Sequence, residues 1–338
     1  MIRKMIALAL GRRRFSLDTL LEAADAHGRH LVDPVRPDPT APPRTPFESP
    51  TPGLRPSLAT LGPRQRLRAV RHMLPVLRRV RAGARMYDRA PRPTRHEIEA
   101  SVLDDVVNRA RALGMRDVGY VRIPRRSIFA GKQVPHEHAI VFTVEMDAEP
   151  IATSPSLESQ LEVMDGYGRL ARIANSIAAD LRAHGFSAYP GTALGGTTDY
   201  VQLAELAGLG AIGYHGLLIA PGEGARVRIA VVYTNVANLP LDRPNPHAWV
   251  RDFCAMCRKC VRACPVGAIE QEPQARPAGY RTIDRGACRD YFTENYGCGV
   301  CLAVCPFSQS GYPAIEARFK GNPSAPKFEV LAAESAGG

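Results

Sequence analysis

The run FCAMCRKCVRACPVG, residues 253–267, sets Cys254, Cys257, Cys260 and Cys264 two, two and three residues apart and closes on proline. A second run, CRDYFTENYGCGVCLAVCPF, carries Cys288, Cys298, Cys301 and Cys305 as C-x9-C-x2-C-x3-C-P. An iron–sulfur cubane needs four thiolates around a compact core. The two-residue spacing lets one loop wrap three of them onto it, and the fourth cysteine, carried off by a turn and stopped by proline, faces the neighbouring cluster. This crossing assigns Cys254, Cys257, Cys260 and Cys305 to one 4Fe-4S cluster and Cys264, Cys288, Cys298 and Cys301 to another. Zinc also takes C-x2-C pairs in fours, but a doubled x3-C-P ending is not its pattern. Two such clusters form a wire for electrons, and a wire does not name a reaction.

The totals fit that chemistry. All eight cysteines fall within 52 residues and the preceding 253 residues hold none, a distribution for a local metal site rather than for disulfides stapling distant segments. At 338 residues and 45% hydrophobic content the chain can bury a large core with a satellite. No stretch has the ~20 apolar residues that cross a bilayer. Arg12, Arg13 and Phe15 imitate part of a twin-arginine signal, yet Asp18, Glu22, Asp25 and His27 interrupt the apolar stretch such a signal needs. A cytoplasmic protein is expected. The net charge of +11 lies in the first hundred residues, with 20 Lys and Arg against 9 Asp and Glu; residues 101–338 balance at 24 and 24. A basic arm of this kind suits nucleic acid, an anionic lipid surface or an acidic protein, or is a solvated arginine-rich helix covering the body.

The elements that must position the clusters are legible in the periodicity. Residues 15–30 have a short helical pattern. Ten of residues 34–63 are proline, which reads as an extended strap. In 64–89 Leu67, Val70, Leu74, Leu77 and Val80 make an apolar stripe on a basic helix, with Pro75 as a kink. From residue 96 helices and strands alternate. Ile98, Val102, Val106 and Ala110 share a face before Gly114 as C-cap; DVGYVRI, HAIVFTVEM, FSAYP and VRIAVVYTNV are strand-like; and 155–184 is one long helix with Leu157, Leu161, Met164, Tyr167, Ala171, Ala174, Ala178 and Leu181 on a stripe. The fold class is α/β. Expected divisions are a basic, proline-rich extension over 1–95, an α/β domain over 96–250, a two-cluster ferredoxin-like domain over 251–312 with the clusters as its core, and a tail over 313–338.

Upstream of the cysteines, AELAGLGAIGYHGLLI (204–219) holds Gly208, Gly210 and Gly213 as G-x-G-x-x-G. A dinucleotide fingerprint follows a strand and opens a helix; here the polarity is reversed, so NAD is rejected, and the glycines are expected to end a helix and let backbone approach something flat. Taken together, AGLGAIGYHGLLIAP, GARVRIAVVYTNV and the two cysteine runs resemble the C-terminal catalytic region shared by corrinoid-dependent reductive dehalogenases and epoxyqueuosine reductases. The likeness spans roughly 96–312, and VFTVEMD, GYGRLARIANSIAADLRAHGFSAYP and GARVRIAVVYTN lean toward the dehalogenases.

The resemblance implies a nitroreductase-like domain holding cobalamin or a related corrinoid, with Gly208, Gly210, Gly213, Tyr214 and His215 beside it. It implies a small organic substrate, with organohalides in the class, reduced by electrons from an external donor such as ferredoxin or flavodoxin. It points to Tyr167 as proton donor and to Arg226 as the substrate-facing arginine, with Arg228 as the neighbouring alternative. Asp199 stands in the stretch where epoxyqueuosine reductases keep a general acid, and His215 is a second candidate donor, a lone histidine able to titrate near neutrality. Two departures stand out. The Lys or Asn that partners the dehalogenase tyrosine is replaced near Gly195 and Gly196, and the G-K-N of epoxyqueuosine reductases reads GYHG. The D-x-H-x-x-G corrinoid motif is not met, because His30 stands where glycine is required after Asp25 and His27. His136 and His138 lack a third ligand and read as surface or capping residues. The rival functions are a tRNA-modifying reductase, with nucleic acid reached through the basic N-terminal part, and a non-catalytic electron carrier.

Overall fold

The computed structural model describes residues 31, 33–43, 61–88, 91–191, 196–241, 243–276 and 279–330. The expected helix over 15–30, most of the proline strap, and Asp25, His27, His30 and Gly195 lie outside them. In chain order, α1 (Pro63–Arg85) and α2 (Ala100–Ala112) lead to β1 (Val118–Arg122), β2 (His138–Glu145), α3 (Ala148–Ala152), α4 (Leu157–Ala183) and β3 (Ala188–Pro190). Next come α5 (Tyr200–Leu206), a small hairpin of β4 (Ala211–Ile212) and β5 (Leu218–Ile219), and β6 (Val227–Thr234). The cysteines ride on α6 (Trp249–Cys257), α7 (Lys259–Ala263), β7 (Ile269–Arg276), β8 (Gly279–Ile283), α8 (Arg285–Glu294), α9 (Val300–Ala303) and α10 (Pro306–Gln309), before α11 (Tyr312–Phe319).

The main sheet has the order β1-β2-β6-β3, and each neighbouring pair is antiparallel. The expected mixture of helix and sheet is present, as helices layered on an antiparallel sheet. β2 and β6 are its centre, with Val141 opposite Val231 and Phe142 opposite Ala230. Because side chains alternate across a strand, Ile140, Phe142, Val144, Ala230 and Val232 face one way, onto Leu170, Ile173, Ala174, Ile177 and Leu181 of α4 and onto α2. Ala139, Val141, Val231 and Tyr233 face the other way, onto Leu203, Ala204 and Ala207 of α5. Gly114, with φ +102, ends α2 as expected.

The basic helix α1 lies on α4. Arg68 meets Glu158 at 3.1 Å, His72 meets Asp165 at 2.8 Å, Arg79 Nη1 donates to the Gly168 carbonyl at 3.2 Å, and Asn175 Nδ2 donates to the Arg79 carbonyl at 2.9 Å. The partners advance together, so the helices run parallel. The buried face is Val76, Val80, Gly83 and Ala84, while Leu67, expected on the apolar stripe, is 65% exposed.

Two further expectations change. The cysteine-bearing part has an aromatic core: Trp249 packs on Phe307, Tyr312 and Phe319, and Phe253 on Phe307 and Phe319, with ring centroids 5.0–6.2 Å apart. Tyr312 and Phe319 belong to α11, whose Ile315 is also buried, so residues 313–319, expected as tail, complete this core. His136, expected as a surface or capping residue, shares a hydrogen bond of 2.7 Å with Ser187 Oγ, and its ring lies tilted 5.8 Å from that of Tyr189. Burial, with the nearby positive charge of His96, Arg182 and His138, lowers its pKa to about 4.

His136 ionises near 6.5 in the unfolded chain and is depressed in the folded one, so between pH 6.5 and 4 the unfolded state binds the extra proton. Stability is full above that window and falls as pH drops through it. Thermal unfolding followed by circular dichroism should show a falling midpoint from pH 7 to pH 5, and His136→Gln, which keeps a partner for Ser187 without titrating, should flatten the fall; an equal fall in the variant refutes the assignment.

Candidate functional site

The thiols gather in two sets. Cys254 lies against Cys257, Cys260 and Cys305, and Cys305 against Cys257. Cys264, Cys288, Cys298 and Cys301 form the second set, and Cys301 also reaches Cys260. The last cysteine of each run has crossed to the other run's set. Burial pushes Cys260 up to about 12 and Cys305 up to about 11, with neighbouring sulfurs adding to both. Backbone N–H groups nevertheless point at the sulfurs: Tyr214 at Cys254, Val261 at Cys260, Phe307 and Ser308 at Cys305, Val300 at Cys298, and Ala268 at Cys264 at 3.3 Å. Crowded sulfurs ringed by N–H donors suit a site whose positive charge comes from metal, which deprotonates its thiols outright. Among the described residues no three His, Cys, Asp or Glu side chains converge as one ion would need. Thiols on the corners of a cubane stand farther apart than ligands of a single ion, so the donor set fits 4Fe-4S clusters.

Local structure explains how the first set forms. Arg258, at φ +47, breaks the chain between α6 and α7, so that Cys254 and Cys257 on one helix and Cys260 on the next turn toward a common point. Pro306 opens α10 directly after Cys305, where its missing N–H is no loss.

The glycine segment adjoins this set. Asn245 Nδ2 holds the carbonyls of Glu205 and Gly210 at 2.7 and 2.9 Å, and the β4–β5 hairpin follows. The missing side chains of Gly208, Gly210 and Gly213 are occupied by protein: a Cβ would meet the Pro244 carbonyl, the Ile219 carbonyl and the Ile219 side chain respectively. The glycines therefore serve close packing of the hairpin on its own chain, not approach to a flat ligand. Tyr214 is buried among Met146, Trp249, Cys254 and Cys305. Its ring meets Phe328 edge-on at 6.0 Å, and its hydroxyl bonds Arg258.

His215 is 2% exposed. Its Nδ1 accepts from the Leu217 N–H at 3.2 Å, which leaves the ring hydrogen on Nε2, and Nε2 is buried with no protein acceptor. Burial lowers its pKa to about 4. The expected titration near neutrality is therefore corrected: the imidazole is a neutral donor.

The candidate catalytic residues do not share one pocket. Tyr167 packs against the α2–α4 side of the sheet. Asp199 is the N-cap of α5, accepting from Val201 and Gln202 at 3.1 Å, and α5 covers the opposite face. Its carboxylate is engaged in capping, as Asp commonly is at a helix start. Arg226, 13% exposed at its side chain, is tied by Nη1 to Glu145 Oε1 at 3.0 Å and to the Met146 carbonyl at 2.6 Å. Arg228 is the arginine on Tyr167. Its Nη1 donates to the phenol oxygen at 3.2 Å, its guanidinium lies 4.9 Å from the ring centroid, and its Nε meets Met146 Sδ at 3.2 Å.

Gly166 gives this pairing room, since a Cβ there would stand 3.3 Å from Arg228 Cγ, a tight contact. A further pair was not read from the sequence. Buried Glu162 accepts from Arg169 at 2.6 Å and from the Asp147 N–H at 3.0 Å, and Arg169 also holds the Glu145 carbonyl, locking α4 to the end of β2. Their seven-residue separation on a helix stripe was the available signal.

Residues 253–309 match the 4Fe-4S dicluster domain. The chain is 38% identical over 185 residues to the tetrachloroethene reductive dehalogenase of Dehalobacter restrictus, covering 50% of this chain and 33% of that protein. It is 32% identical over 185 residues to the enzyme of the same name from Sulfurospirillum multivorans, covering 51% and 36%. An epoxyqueuosine reductase from Listeria monocytogenes is 32% identical over 117 residues, covering 32% and 29%. The chain thus matches about a third of the length of these curated relatives. Among solved structures, a catabolic reductive dehalogenase superposes with a TM-score of 0.65 at 23% identity, covering 76% of this chain and 41% of that one, which shows a shared fold. The resemblance read from the glycine and cysteine segments is borne out: the sequence relatives are oxidoreductases of these two kinds. No helix among the described residues is long and apolar enough to cross a membrane.

The two sets predict paired losses. In protein reconstituted anaerobically with iron and sulfide, Cys305→Ala should remove the same reduced-cluster resonance as Cys257→Ala, and Cys264→Ala the same one as Cys298→Ala. Loss of Cys305 with Cys298 instead would break the crossing.

Proposed function

We propose that the chain is a corrinoid- and iron–sulfur-dependent reductase of the reductive dehalogenase kind, acting in the cytoplasm on a small organic substrate. The observation that carries this reading is the exchange of Cys305 and Cys264 between two four-thiol sets, one of which accepts an N–H from the glycine hairpin at Tyr214. In it, residues 96–250 form a nitroreductase-like corrinoid-binding domain and 251–312 a ferredoxin-like one. Cys254, Cys257, Cys260 and Cys305 hold one 4Fe-4S cluster and Cys264, Cys288, Cys298 and Cys301 the other. An external carrier of the ferredoxin or flavodoxin class supplies electrons. A corrinoid, when bound, supplies low-valent cobalt as the site of substrate reduction.

The orphaned Nε2–H of His215 supports the fit to such a ligand, because the amide carbonyls around a corrinoid's rim are acceptors for a buried donor. Hydrogen bonding here would satisfy a group otherwise left without a partner. Reduction of a carbon–halogen bond takes two electrons and one proton and releases halide. Tyr167 is suited to the proton: its oxygen accepts from Arg228, so its own hydrogen is free to point at substrate, and the guanidinium steadies the phenolate left behind. In place of the Lys or Asn that the resemblance puts before the glycine segment, an arginine of β6 partners the tyrosine. At the old position Gly196 is closed, since a Cβ would collide with the Tyr200 ring. Arg226 acts as a positioning residue at the β2–β6 end, whereas Asp199 only caps α5.

Purified anaerobically, the reconstituted chain should take up cobalamin with a shift in its visible absorption, and His215→Ala should weaken uptake by about tenfold, the scale of one buried hydrogen bond. An iron-loaded protein that leaves the cobalamin spectrum unchanged would instead be an electron carrier. Tyr167→Phe should retain cobalamin and lower turnover of an organohalide about a hundredfold or more; Arg228→Leu should fall in the same direction and Asp199→Asn should not. Turnover of an epoxyqueuosine-bearing tRNA with organohalides inert would move the assignment to the other relative.

A further inference from the structure

Helix α1 carries eight arginines and no acidic residue, most of the surplus of eleven positive charges in the first hundred residues. Its inner face, Val76, Val80, Gly83 and Ala84, is sealed, and Arg68 and Arg79 on its flanks are drawn to Glu158 and to the Gly168 carbonyl of α4. The outer face is different. Arg64, Arg71, Arg78 and Arg85 recur every seven residues, two turns of helix, and all four are exposed. They form a row along one side of the helix, about 32 Å long at 1.5 Å per residue. Leu67 lies in the same row, 65% exposed and more so than any other large hydrophobic side chain among the described residues. Leu74, also in the row, is half-buried.

We propose that this row is a docking surface for an anionic lipid bilayer. The charge sign selects an anionic partner, and the leucine selects among anionic partners. An RNA backbone would pair the arginines and leave Leu67 in water. The headgroup region of a bilayer takes both: guanidiniums at the phosphates and a leucine at the acyl boundary. The row lies on the outer face of α1, opposite the sealed one, and α1 is held to the body by the parallel packing on α4, so the whole catalytic unit would ride on the membrane without spanning it. This inference is independent of the function proposed above.

The full chain, loaded with iron and sulfide, would be sedimented with phosphatidylcholine vesicles, with and without phosphatidylglycerol. Binding is expected only with the anionic lipid and should weaken as salt is raised. Arg71→Glu together with Arg78→Glu should weaken it at least tenfold, given the contribution of each cation near such a surface. Leu67→Gln should weaken it several-fold while leaving the salt dependence. All three positions are exposed, and an unchanged iron content confirms that the variants fold. Failure to sediment with phosphatidylglycerol vesicles overturns the proposal. So does equal binding by Leu67→Gln combined with displacement of the protein from vesicles by RNA, which would make the row a polynucleotide surface.

Discussion

Sulfurs placed this close, in surroundings this dry, do not repel one another cheaply, and the architecture around the cysteines follows from that constraint. Burial, and then neighbouring sulfurs, raise Cys254, Cys260, Cys288, Cys298, Cys301 and Cys305 above their ordinary pKa, yet N–H groups from six residues aim at the two sets. Metal charge resolves the conflict. Because Cys305 and Cys264 cross between sets, the two runs cannot separate without opening both. The aromatic core of Trp249, Phe253, Phe307, Tyr312 and Phe319 packs alongside and excludes water from one flank. Tyr214 then joins the glycine hairpin to this unit, its N–H on Cys254 and its ring edge-on to Phe328.

At the sheet end, two arginines two residues apart have separate tasks. Both lie on the same side of β6, but Arg226 stands past the last paired residue, beside Glu145 and the Met146 carbonyl, and is consumed there. Arg228 stands within the ladder, opposite Val144, and reaches across the gap that Gly166 leaves in α4 to find Tyr167. The difference is one of neighbours, not of chemistry. Glu162 and Arg169 strengthen it by fixing where α4 meets the end of β2.

The glycine segment carries a similar lesson. Its fingerprint spacing arises from a helix ending at Gly208 and from a hairpin folded tightly on Ile219, with Gly210 at φ +157. Such contacts admit no Cβ, so the glycines are accounted for by the protein itself. What the packing leaves unsatisfied is the residue just beyond them, His215, whose donor nitrogen is buried without a protein acceptor.

Much of this was readable from the residues alone, because it is local. Ligand type and spacing identify the iron–sulfur chemistry, since two or three residues of loop set which thiols share a turn. The 2.0 and 3.6 periodicities place β1, β2, β3, β6, α2 and α4, and a glycine at positive φ stops α2. Only the tertiary structure decides what depends on residues far apart in the chain. It puts Asp199 and Tyr167 on opposite faces of one sheet and Arg228 rather than Arg226 on the phenol. It also turns residues 313–319 from tail into core and Leu67 from core to surface. Periodicity says that a face is apolar; which neighbour covers it, and which polar group is left without a partner, is set by packing between segments that no spacing rule connects.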